Sequence, residues 1–352
     1  MTLSPYEQKE WDRLQKRRDD ALSKKARHLL PAAARDRVSK VAEAVKQTPA
    51  AEVAGAAYAS AATELGKIIG GAASLTVSND SVLKQFQKSG HTVTTLADVR
   101  GLDLEAIDSV AHLGRIRWGH SGTAALGGAA SAAAITGGTV LFAKGTIHDE
   151  GAKQAPGIGV VATAYAGDIA AVLGLAARTV ASTARYYGYD PHEREEQVFM
   201  MSVIGLGMAT GTPAKTAAHA ELSQLTQLLF RDATWDKLNE KVLTKVAQKF
   251  ASKFSVSLTK KKFGQFVPVA GIAFGAISNF ALVDKIAAAA NDAYRERLLI
   301  EKSDGQLVSA SGVTIEQVSL DDDNLSIIEI LEEEDALPTP ELDAAPPIDG
   351  DA

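Results

Sequence analysis

Five lysines recur at four-residue intervals, Lys237, Lys241, Lys245, Lys249 and Lys253, and Lys260, Lys261 and Lys262 follow shortly after. Between Lys237 and Lys262 only Glu240 opposes them. Like charges four apart repel on a helix, so the spacing does nothing for the helix that carries it. Each step of four turns about 40° around the axis, and the stripe therefore winds slowly along one side. So one-sided a basic surface suits an anionic partner, and anionic membrane lipid is the leading one. The plain alternative is a solvated face kept soluble by lysine. Nucleic acid is not expected, because the stripe holds no arginine and no base-reading motif accompanies it.

Motifs for catalysis fail on inspection. A phosphate loop needs glycine just before its Lys-Ser/Thr pair, but Lys215-Thr216 follows Ala214 and Lys144 follows Ala143. Gly157-Ile158-Gly159-Val160-Val161-Ala162 fits the loose dinucleotide pattern, yet no strand precedes it, and close helix packing explains the glycines. In Trp118-Gly119-His120-Ser121-Gly122 the serine elbow would need glycine at position 123, which is threonine. The seven histidines give no i,i+4 pair with an intervening glutamate, and cysteine is absent, so neither metal nor cofactor is expected. Two polar residues on apolar helices remain, Asp168 and Asn279. Asp168 is expected to pair with Arg178, Arg185 or a helix N-terminus, and Asn279 to make an interhelical hydrogen bond.

The elements that must position these residues read as helices. Hydrophobic residues are 46% of the 352 and charged ones 23%, with aromatics only 6%. Alanine and glycine carry the apolar fraction, so helices must approach closely to gain contact. Ser4-Pro5-Tyr6-Glu7 is a capping box that predicts a helix from Pro5 to about Leu30, and a second should run over 32–47. Further helices are predicted over 79–88, capped by Asn79-Asp80, through Leu104–Leu113, started by Thr95 or Asp103, and over 194–208 and 217–230. Thr234 should cap another, running to about Phe254, and the last body helix spans about 268–297. Residues 121–143 are uncharged, and 154–177 carry only Asp168. This pair is read as a closely packed helical hairpin; membrane insertion is the alternative.

Charge is divided along the chain. From Glu301 onward there are fifteen Asp/Glu and one Lys, a net of −14, so the overall −6 leaves +8 on residues 1–300. The tail, rich in Asp, Glu, Pro and Ala, is expected to be disordered. One island stands out, Leu325, Ile327, Ile328, Ile330 and Leu331 between acidic runs: a sticky patch, or a short motif that docks on a partner or back on the body. The chain is thus expected to be all-α, a multi-helix globular bundle with Ala/Gly-rich closely packed hairpins. Its parts are amphipathic N-terminal helices over 1–49, a helical domain over 50–302 and an acidic disordered tail over 303–352. The charged N-terminus has no signal-type apolar stretch, which sets the expected location as cytoplasmic.

Two blocks carry a family resemblance. The first runs from Ala166-Gly167-Asp168-Ile169 to Arg185-Tyr186-Tyr187-Gly188-Tyr189-Asp190. The second is Phe266-Val267-Pro268-Val269-Ala270-Gly271, followed by Asn279 and Ala293-Tyr294-Arg295. Over about residues 50–300 the chain resembles the EcsC family of bacterial proteins. The resemblance implies a largely helical, membrane-associated protein, often encoded near an ABC transporter. It also implies that Asp168, Arg178, Gly188, Tyr189, Asp190, Pro268, Gly271 and Asn279 are family-pattern positions, in structure or in function. The leading expectation is a non-enzymatic peripheral or lipid-binding accessory protein at the inner face of the cell membrane, possible partners being anionic lipid and an ABC transporter. The alternatives are an enzyme acting on a lipid-like substrate, with Asp168, Tyr189, Asp190 or His120 converging in a helical pocket, and a soluble adaptor using the Leu325–Leu331 island.

Overall fold

The computed structural model describes residues 3–23, 78–112, most of 117–126, 156–230, 235–262, 271–307 and 325–337, with side chains left out for 156–166, 259–262 and 271–277. Among the described residues the chain is all-α, with no strand. In order the helices are α1 (Pro5–Ser23), α2 (Asn79–Lys88), α3 (Leu96–Arg100), α4 (Leu104–Ala111), α5 (Pro156–Tyr186), α6 (Arg194–Met208), α7 (Thr212–Phe230), α8 (Glu240–Lys262), α9 (Gly271–Lys302) and α10 (Ile327–Glu333).

Local chemistry sets most of these boundaries. At α1 the capping box forms in full: the Glu7 amide donates to Ser4 Oγ at 3.2 Å, and the Ser4 amide donates to Glu7 Oε2 at 2.9 Å. Thr95 caps α3 in the same reciprocal way with Asp98, and Asp103 caps α4. Both candidate starts are therefore used, and they make two short helices rather than one. Ser78, rather than Asn79, caps α2, and Gly90 ends it at φ +90°.

Two predicted boundaries differ. Helix α7 begins at Thr212 rather than Ala217, because Pro213 sits in a first turn where its missing N–H costs nothing. Helix α8 begins at Glu240, since Asn239 Oδ1 accepts the Val242 amide at 3.1 Å, and it continues to Lys262. Lys237 therefore lies in the turn ahead of the helix, outside the helical stripe. The predicted 32–47 helix and most of the hairpin's first segment, 121–143, lie outside the described residues, whereas its second, 154–177, falls almost wholly within α5. Among the described residues, no helix is long and apolar enough to cross a membrane.

Helix α9 is the hub, lying along both α6 and α5, while α7 packs on α6. The contact is made by small residues: Ala176, Ala181 and Ala184 on α5, and Ala290 and Ala293 on α9, are all buried. At Gly207 the approach reaches backbone, since a Cβ there would stand 2.6 Å from Ile286 Cα. Helix α1 rests on α4, α7 and α9, with Leu14 in the shared core.

The tail departs from its expected disorder over residues 325–337. Ser326 accepts the Glu329 amide and caps α10, and Leu325, Ile327, Ile328, Ile330 and Leu331 are all buried on the body. Five apolar side chains on one short segment bury enough surface, roughly 1.5–3 kcal/mol each, to offset its ordering.

Replacing Gly207 by Ala should push α6 away from α9. The expected cost is about 1–3 kcal/mol, read as a lower urea midpoint with an unchanged slope.

Candidate functional site

Helix α10 lies against α8 and α6, and on α8 it runs antiparallel. The direction follows from the ion pairs, which descend the tail as they ascend α8. Lys237 meets Asp335 at 2.9 Å, Lys245 meets Glu334 at 3.6 Å, and Lys249 meets Glu333 and Glu334 at 2.9 and 2.6 Å. Lys253 meets Glu329 at 3.0 Å. The lysines chosen from the sequence and the apolar island chosen from the tail thus form a single surface. Lys241 is exposed, and Lys260, Lys261 and Lys262 extend α8 with their side chains outside the described set. Hydrogen bonds from Lys249 hold the Glu333 and Glu334 carboxyls below the ordinary range, and those partners raise the Lys249 ammonium in turn.

The floor of this surface holds a residue that the sequence did not single out. Glu221, on α7, is buried, and both of its carboxylate oxygens accept the Ile327 amide at 3.1 Å. Ser202 Oγ donates to Oε1 at 2.9 Å. Burial pushes the Glu221 carboxyl upward, opposed by hydrogen bonds from Ser326, the Ile327 amide, Ser202 and the Ile328 amide. A carboxylate set against the first amides of a helix satisfies donors that have no intrahelical partner and lies at the positive end of the dipole. Gly205 of α6 lets the chain enter, because a Cβ there would stand 3.0 Å from the Leu325 carbonyl oxygen.

The energetics divide cleanly. Exposed ion pairs contribute little each, whereas a buried leucine or isoleucine contributes roughly 1.5–3 kcal/mol. The apolar face and Glu221 therefore hold α10, and the lysines fix its direction.

The family-pattern residues that are described lie elsewhere, in contacts between helices. Asn279 Nδ2 donates to Asp168 Oδ1 at 2.7 Å, joining α9 to α5, so the two polar residues singled out in the sequence are partners. Of the partners expected for Asp168, Arg185 goes elsewhere, its Nε donating to Asn79 Oδ1 at 2.8 Å, and the Arg178 charge acts on His120. Gly188 holds φ +85°, and a Cβ there would meet the Leu96 carbonyl oxygen at 2.5 Å, so α3 crosses directly over it. Asp190 accepts Asn79 Nδ2 at 2.9 Å and the His192 amide at 3.0 Å. The Tyr189 ring lies under the Arg297 guanidinium, 4.0 Å from its carbon. Gly271 opens α9, and Pro268 is outside the described residues.

His120 Nδ1 lies 2.7 Å from Thr179 Oγ1. Because Thr179 donates its own proton to the Leu175 carbonyl, His120 is the donor in that contact. Burial lowers its imidazole pKa, aided by Arg178. Asp168, Tyr189, Asp190 and His120 therefore do not converge. A cavity of about 380 Å³ between α1, α4, α5 and α9 is lined instead by charged residues such as Arg17, Asp108, Arg117 and Arg295 together with alanines.

The pattern that defines the EcsC protein family matches residues 6–299. The chain belongs to this family, and the match takes in α1, which the two sequence blocks had left out. The Bacillus subtilis (strain 168) protein named "Uncharacterized protein YdbA" is 27% identical over 244 residues, covering 68% of this chain and 76% of that protein. No solved structure matches the chain.

Glu221→Ala should leave the Ile327 and Ile328 amides without their buried acceptor, at about 1–3 kcal/mol. Hydrogen exchange of α10 amides should then accelerate by about one to two orders of magnitude, with little change at α9. Gly205→Ala should act in the same direction more weakly.

Proposed function

We propose that this protein is a peripheral, lipid-binding accessory protein that meets anionic lipid at the inner face of the cell membrane through the α8 lysines, without catalysing a reaction. The neighbour suggested by the family resemblance is an ABC transporter or another membrane protein. One observation carries the reading. The basic face of α8 is opposed, at Lys245, Lys249 and Lys253, by the chain's own acidic tail helix. Such a face is suited to negative charge and is kept neutralised until a larger anionic surface competes for it.

The competition favours a membrane on physical grounds. A bilayer offers many headgroups to all seven α8 lysines together, whereas α10 pairs a few at exposed, screened positions. Salt weakens the lipid contact because the Debye length shrinks from about 10 Å at 0.1 M to 3 Å at 1 M. It does not release α10, whose apolar face carries most of the contact.

Vesicle flotation tests this with the full chain. The wild type should float on anionic vesicles at low salt, and not on neutral ones or at high salt. Glu329→Lys/Glu333→Lys/Glu334→Lys should bind anionic vesicles about tenfold more tightly by freeing the stripe, and Lys245→Glu/Lys249→Glu/Lys253→Glu should not bind. Failure of both the wild type and the tail-reversed variant to float would defeat the proposal.

A further inference from the structure

The groove that holds α10 reads more of its occupant than charge. It offers an apolar floor, a lysine rim from Lys245 to Lys253, and at one end the Glu221 carboxylate against the first amides of the incoming helix. The occupant answers each feature in turn. Ser326 caps it, Ile327, Ile328, Ile330 and Leu331 bury their side chains, and Glu329, Glu333 and Glu334 face the lysines. A membrane surface matches only the rim, because a headgroup phosphate would be repelled by Glu221 while helix amides are drawn to it. The groove is therefore specified for a short helix.

Position in the chain adds a second, independent observation. Gly205, Glu221 and the rim lysines all lie within the part that matches the EcsC family, residues 6–299, whereas the occupant begins at Leu325. The receiving surface belongs to the family-matching body, and the segment seated on it lies beyond.

We propose that the groove between α6, α7 and α8 is a docking site for an acidic amphipathic helix of a partner protein, and that α10 is its resident competitor in cis. The partner helix carries a serine-type N-cap, apolar residues at its first, second, fourth and fifth positions, and acids at the third, seventh and eighth. Covalent attachment makes the return of α10 an intramolecular step, so a partner must bind well or meet a chain whose tail is already displaced. This inference stands apart from the lipid reading, since it is tested without vesicles.

The test uses the full chain and a labelled peptide of residues 321–337. A variant with Ile328→Asp and Leu331→Asp, whose own tail can no longer seat, should bind the peptide at least about tenfold more tightly than the wild type. Adding Glu221→Ala to that variant should weaken binding by about tenfold. A second peptide, keeping only the serine cap, the four apolar positions and the three acids, should bind within about threefold of the first. On the wild type, excess peptide should raise the hydrogen-exchange rate of α10, which gives a readout if the double variant fails to fold. Equal binding by the wild type and the open variant, no binding by an open variant that melts cooperatively, or no displacement of α10 by excess peptide would each overturn the proposal. So would a concentration-dependent dimer of the wild type that exchanges tails, which would assign the groove to a second copy of this chain.

Discussion

Two buried arginines near the end of α9 set the frame for the rest of the molecule. Arg297 lies between the Tyr189 and Phe199 rings, and its Nη1 donates to Glu196 Oε2 at 2.7 Å. Arg295 donates to Glu10 Oε2 at 2.6 Å and also to Asp108, while its Nε reaches the Tyr187 hydroxyl at 3.1 Å. Through these side chains one helix holds α1, α4, α5 and α6 at once. Removing one partner from such a buried pair typically costs about 3–5 kcal/mol, because the other charge is left without compensation.

Why charge should do this work follows from composition. Helices α5 and α9 meet through alanines, which bury little area and leave sliding along the axis weakly opposed. Directional contacts supply the missing register: Asp168 with Asn279 at one end, and Tyr187, which directly follows α5, with Asn291 near the other. The close approach at Gly207 then becomes possible, since α6 is held against α9 by ion pair and hydrogen bond as well as by packing.

Much of this was legible in the sequence because it depended on local signals. Ser4-Pro5-Tyr6-Glu7, Thr95 and Asp103 announced helix starts through side chains that reach only three residues. The lysine stripe and the Leu325–Leu331 island stood out for the same reason, as runs of one character. That they meet was less accessible, since 71 residues lie between Lys253 and Leu325 and nothing local encodes the pairing. Glu221 was missed outright. It looks like an ordinary helical glutamate in His-Ala-Glu-Leu-Ser, and its meaning comes from Ser202 and the Ile327 amide, neither near it in sequence. Arg295 and Arg297 were visible only as a charged helix end, because burial depends on what folds over them.

The two kinds of carboxylate at the tail contact determine which stimuli the contact resists. Glu221 has its pKa raised by burial, and the hydrogen bonds that arrive with α10, from Ser326 and the Ile327 and Ile328 amides, act against that rise. Those bonds favour the charged carboxylate, so α10 and the ionised form of Glu221 support each other. Glu333 and Glu334 have theirs lowered by Lys249, so their contribution is complete above the ordinary range and fades only below it. Salt acts only on the exposed pairs and leaves the apolar face in place. What remains able to displace the tail is a competitor for the same chemistry: a surface that outmatches its charge, or a helix that also satisfies Glu221.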